Sequence, residues 1–234
     1  MPSEIFVNGN KTDKVDFYVY NLTLNENIIK IRFNKTITNC NVMFSGLINI
    51  TNIIFNNFDF SNVLSMKGMF YKYHNLKSLD LSNLNTISVF DMSYMLSFCT
   101  NLISLNLSNF IKTSVIDMRD MLSHCILLTS FDLSSFNTSS VTFMRSMLYN
   151  CTNLKTLNLK HFNTSSVTDM RMMFYNCIRL VSIDLSNFIT TSVINMYAMF
   201  YNCANLISLD LTNFITSSVT KMNSMFYSCK NLLL

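Results

Sequence analysis

Apolar residues in this chain recur in columns rather than in blocks. Leu102, Leu128, Leu154, Leu180, Leu206 and Leu232 stand 26 residues apart. Three residues after each come Leu105, Phe131, Leu157, Ile183 and Leu209, and two further on Leu107, Leu133, Leu159, Leu185 and Leu211. That LxxLxL spacing predicts a short strand whose alternate residues turn inward. An apolar corner follows at Phe110, Phe136, Phe162, Phe188 and Phe214, then a polar turn of the NTSS type, then Val115, Val141, Val167, Val193 and Val219. Two methionine columns three residues apart, as in Met118 and Met121 or Met170 and Met173, lead through Leu122 or Phe174 to a cysteine. The spacing Met to Met to Cys, three and then four, predicts the inward stripe of a short helical turn.

Cys99, Cys125, Cys151, Cys177, Cys203 and Cys229 keep the same period, and Tyr73 holds their phase one step earlier. Upstream the columns persist as Leu79, Leu81, Val89, Met92 and Met95. They continue more weakly as Ile53, Phe55, Phe58, Val63, Met66 and Met69, and Ile37 and Met43 are still in phase. A fixed period of this length predicts a repeat solenoid, mainly β with short helical turns, in which 26-residue coils stack short parallel strands. One coil cannot bury enough apolar surface to offset the entropy of ordering it, so neighbouring coils must share the interior and the strand hydrogen bonds. The array is expected over residues 29–234, about eight coils, with a divergent capping segment at 1–28. The end CKNLLL stops partway through a repeat, so the chain is expected to be an excerpt truncated at its C-terminus. The uncapped last coil would leave a face open to end-to-end self-association.

Composition narrows the function classes. Half the residues are hydrophobic and 13% are charged, ample for a core and too little charge for a disordered tail. A net charge of +4, spread along the chain with no Lys/Arg block, argues against nucleic-acid binding. Asn, Ser, Asp or Lys interrupts every apolar run before it reaches the length of a membrane span. The start MPSEIFVNGNKTDKVDF lacks the basic and apolar regions of a secretory signal, so the expectation is either an intracellular protein or a signal lying upstream.

The repeated columns offer several chemistries. Stacked coils bring neighbouring cysteines within disulfide reach. The in-register Cβ vectors and the place of Cys on the apolar stripe favour buried thiols, with a disulfide or a metal as the alternatives. No CxxC pair occurs, and His74, His124 and His161 fall in different repeat phases, so zinc spacing is not met. Asp80, Asn106, Asp132, Asn158, Asp184 and Asp210 share one strand position. A catalytic site is a unique constellation and this is a column, so it reads as an outward polar row in which Asn between Asp relieves like-charge stacking. Neither a glycine-rich phosphate loop nor GxSxG is present, and no enzymatic activity, cofactor or metal is expected. Glycosylation sequons occur about as often as the abundance of Asn, Ser and Thr predicts. Tyr149, Tyr175, Tyr201 and Tyr227 lie two residues before the cysteine, where Ser97 and Ser123 stand in earlier coils. These rings either lie flat over the neighbouring coil or form an exposed aromatic strip, a surface type that marks interaction sites.

The unit LxSLDLSNFxTSSVTxMxxMFYNC, with copies such as LVSIDLSNFITTSVINMYAMFYNC and LISLDLTNFITSSVTKMNSMF, resembles the BspA-type leucine-rich repeat of surface proteins in its mycoplasma lipoprotein-associated variant. The likeness covers the chain from Ile37 onward. It departs at Ile189 and Ile215, where that repeat often shows Asp in NFDTS, and in its scarcity of glycine. The resemblance implies a leucine-rich-repeat-like solenoid at the cell surface, acting in adhesion or in binding a protein or glycan, with no catalytic residue to carry over. The alternative is an intracellular protein-interaction scaffold of the same architecture. For a protein ligand the tyrosine row is the expected contact, since aromatic side chains dominate binding energy where desolvated. For a glycan or mineral surface it is the Asp/Asn row.

Overall fold

A computed structural model of the chain describes residues 4–7, 10–12, 29–32, 35–47, 53, 55, 59–110 and 114–233. Phe58, Leu234 and most of the 1–28 segment lie outside the described residues. Strands β1 (Glu4–Val7), β2 (Asn10–Thr12) and β3 (Ile29–Arg32) form an antiparallel sheet in the order β2-β1-β3. The apolar pattern put β3 at the start of the array, yet it pairs with β1, Glu4 opposite Arg32 and Val7 opposite Ile29.

Coiling is under way by Asn39. Asn39, Ser65, Asp91, Asp117, Phe143, Asp169, Asn195 and Lys221 form an unbroken column of parallel bridges, each one repeat from the next. This column runs along the residue before the first methionine, so the continuous ladder lies at the SVxxM segment. On the leucine side, β4 (Ser78–Asp80) pairs in parallel with β5 (Ser104–Asn106), and Ser182 bridges Ser208. The array is thus a leucine-rich-repeat-like solenoid, mainly β.

The expected helical turns are something else: no helix occurs among the described residues. From Met92 to Cys99 the amides alternate in what they do. Met92, Tyr94, Leu96 and Phe98 donate to Asp117, Arg119, Met121 and Ser123 of the next coil at 2.8–3.0 Å, while Met95, Ser97 and Cys99 donate three residues back at 3.1–3.2 Å. Tyr94 (φ 58°) and Phe98 (φ 63°) occupy the third place of their turns, where a type II turn requires left-handed φ. The same pair of places recurs as Asp120 and His124, Ser146 and Asn150, Met172 and Asn176, and Ala198 and Asn202. A left-handed residue at every fourth position cannot belong to a right-handed helix. The inward stripe is nonetheless as the spacing predicted, with Met92, Met95 and Cys99 all buried.

Inside, the valine, methionine, corner-phenylalanine and cysteine columns are enclosed from coil to coil. Cys40 takes the first-methionine place and Tyr73 the cysteine place, both buried. The polar turn contributes a buried threonine column that ties coils together. Thr138, Thr164 and Thr190 each donate to the carbonyl of Asn163, Ile189 or Ile215 (2.9–3.0 Å) and accept from the same residue's amide (2.7–2.8 Å). Among the described residues no coil follows the last one, and there Leu209, Phe214, Val219 and Phe226 are half-buried and Met222 is exposed.

Candidate functional site

The tyrosine row forms an offset face-to-face stack. Ring centroids lie 4.7 Å apart for Tyr149–Tyr175, 4.6 Å for Tyr175–Tyr201 and 4.8 Å for Tyr201–Tyr227, with interplanar angles of 12°, 6° and 18°. The coil spacing sets these distances, which fall in the favourable range for aromatic pairs. Partial burial and the neighbouring tyrosines push the Tyr175 phenol above its ordinary pKa.

Read by column, the row stops at Ser123 and Ser97. In space it continues. Where serine replaces tyrosine, the next residue is a ring: His124 packs on Tyr149 at 5.2 Å, Phe98 stacks on His124 at 4.0 Å and 12°, and Tyr71 meets Phe98 edge-on at 6.0 Å. The two serine hydroxyls are buried and bond to each other at 2.7 Å. The aromatic strip therefore runs from Tyr71 through Phe98 and His124 to Tyr227, beyond the C-terminal half where the columns placed it. Its members are half-buried except Tyr227, which is 59% exposed. Because the faces of the inner rings cover one another, they offer a partner mainly edges and hydroxyls.

The Asp/Asn row faces outward as expected and also has a structural task. Asp80, Asn106, Asp132, Asn158, Asp184 and Asp210 each accept from the amide two residues on, at 2.8–3.1 Å. These are Asx turns, which let a side chain close the bend after the strand. The bonds from Ser82, Ser134, Ser186 and Thr212 hold the four aspartates below the usual carboxylate range. Lys160 also approaches Asp184 at 3.4 Å. One oxygen of each group in the row is thus committed to the fold.

Other polar groups gather on the turn face. Arg119 pairs with Asp117 and lies over the Phe143 ring, Arg171 pairs with Asp169 at 3.2 Å, and Arg145 reaches the Tyr94 hydroxyl at 3.2 Å. Asp120 is raised by burial despite Arg145. The cysteines are free thiols. Among the described residues no three His, Cys, Asp or Glu side chains converge as metal ligands, and no helix is long and apolar enough to cross a membrane.

A family model described as "Mycoplasma protein of unknown function, DUF285" matches residues 16–130 and again 127–233. Among solved structures, a leucine-rich repeat protein of T. pallidum is 18% identical with a TM-score of 0.43, the match covering 80% of each chain. A leucine-rich repeat protein from Eubacterium ventriosum is 13% identical with a TM-score of 0.39, covering 72% of this chain and 57% of that one. No curated relative matches the chain.

Proposed function

This chain belongs to the DUF285 family of mycoplasma proteins, and on that footing we propose that it is a non-catalytic recognition array, displayed at the cell surface, that binds a protein partner through its aromatic strip. The family description assigns no activity, so the reading rests on the surface itself. The observation that carries it is the unbroken run of ring contacts from Tyr71 to Tyr227, stacked face to face from Tyr149 onward. Stacked rings are already ordered, so a partner gains aromatic contact at little further cost in side-chain entropy. The Asp/Asn row is the weaker candidate because its acceptors serve the Asx turns. Display at the surface and a role in adhesion are supported by the likeness of the repeat unit to BspA-type repeats. An intracellular scaffold is the competing reading.

Two measurements test this. The chain and a variant with Tyr149, Tyr175, Tyr201 and Tyr227 changed to alanine are passed over a panel of immobilised extracellular-matrix and cell-surface proteins. Specific binding by the parent, weakened at least about tenfold in the folded variant, is expected. Equal binding by both removes the strip as the site. Protease treatment of intact cells should degrade the protein; full protection would favour the scaffold.

A further inference from the structure

Beside the aromatic strip runs a second ladder, made of side-chain amides. Asn202 donates from Nδ2 to Asn176 Oδ1 at 2.6 Å, Asn176 donates likewise to Asn150, and Asn150 Nδ2 stands 3.0 Å from His124 Nδ1. An amide nitrogen only donates, so His124 Nδ1 accepts and the ring proton sits on Nε2. All three amides thus point the same way, and the imidazole sets that direction.

We propose that this row is a proton-operated switch: when His124 takes a second proton from solvent, Nδ1 can no longer accept, and Asn150, Asn176 and Asn202 turn their amides over together. In the reversed state Nδ1–H donates to Asn150 Oδ1 and each Nδ2 donates toward the following coil. Ser228 holds the next place in the column, one repeat beyond Asn202, and a hydroxyl there is able to accept from the reversed Asn202 amide. Both arrangements keep the same number of bonds along the row, the condition for a two-state element biased by one charge.

The titratable and charged neighbours of the imidazole are few. Asp120, on its own coil, has its carboxyl pushed up by burial and interacts with Arg145 and Tyr94 rather than with the imidazole, and Tyr149 packs from the next coil. The preceding coil presents the uncharged Phe98 ring, and beyond it Lys72 holds its ammonium over Tyr71 at 5.2 Å. Burial between the rings lowers the His124 pKa below the ordinary imidazole value. The unfolded chain therefore takes up this proton first as pH falls. The contribution of His124 to stability is complete above the ordinary imidazole range and declines as pH drops through and below it.

Each switching amide directly follows a tyrosine of the strip, so reversal changes the hydrogen-bonding groups beside the proposed contact surface. The switch itself does not depend on that function. Side-chain amide spectra of Asn150, Asn176 and Asn202, with imidazole ¹⁵N shifts of His124, are followed from about pH 8 to pH 5. Expected are the Nε2–H tautomer at high pH and three amides that shift with the midpoint of His124. In Asn176→Leu, Asn150 should still follow His124 while Asn202 falls silent. In His124→Asn the response of all three should vanish. An Nδ1–H tautomer at high pH, or an Asn202 amide unmoved through the His124 titration of the unaltered chain, would overturn the proposal without any variant having to fold.

Discussion

Each thiol of the cysteine column donates to a carbonyl of the preceding coil, Cys125 Sγ to Leu96 O and Cys177 Sγ to Leu148 O, both at 3.3 Å. Burial pushes Cys151 up to about 12 and Cys125 and Cys177 well above the usual thiol range. The thiolate is the nucleophile, so these groups should be inert in the folded chain. Cys229, on the last described coil, is half-buried and less perturbed. Native alkylation followed by mass should modify Cys229 first and Cys125, Cys151 and Cys177 only after denaturant is added. Rapid native labelling in mid-column would show that the stripe is not inward. The sequence already favoured buried thiols here, because Cys shares a stripe with two methionines. It did not reveal the aromatic continuation, because Ser97 and Ser123 look like gaps when each column is read alone. The compensating rings, Phe98 and His124, stand one residue later and meet their neighbours only once the turn geometry is known.

At the scale of the element, the legible part was which residues point inward, and the illegible part was how the backbone gets them there. The spacing Met92, Met95, Cys99 fits a helical stripe and a run of tight turns equally well. The left-handed places that decide between them hold Tyr94, Phe98 and Met172, residues with no preference for that region, while the usual cues, Gly46, Gly68, Asp120, His124, Asn150, Asn176 and Asn202, are scattered among them. Asx turns were hidden for a similar reason, since an outward Asp or Asn looks solvated. A second Asx column shows what the departures from the resembled repeat at Ile189 and Ile215 forgo. Asp59, Asn85, Asn137 and Asn163 each accept from the amide two residues on, at 2.9–3.3 Å, whereas Ile189 and Ile215 offer no acceptor at that place. Ile189 is 44% exposed, so its side chain gives up little burial if replaced. Ile189→Asn should restore the turn to the Thr191 amide and raise stability by about 0.5–1 kcal/mol, the net worth of one such bond. An unchanged or lower denaturation midpoint would mean that the Asn side chain does not reach that amide.

Over the whole molecule, the solenoid makes position along the axis matter as much as residue type. Each coil touches only its neighbours, so stability is a sum of coil and interface contributions, and a defect in the middle weakens two interfaces. Leu159 and Leu211 occupy the same column two repeats apart. Leu159 is 1% exposed between coils, whereas Leu211 is half-buried in the last described coil. Leu159→Asp places a carboxylate in an apolar column with no cationic partner, a change costing several kcal/mol. It should also divide the array, so that hydrogen exchange accelerates in coils on both sides of residue 159 while the ends retain protection. Leu211→Asp places its carboxylate at a half-buried position that still reaches water and should cost less than Leu159→Asp, with exchange changed mainly in its own coil. Equal denaturation midpoints for the two variants would contradict a core that is shared between coils, and with it the stacking from which both the aromatic strip and the amide row take their spacing.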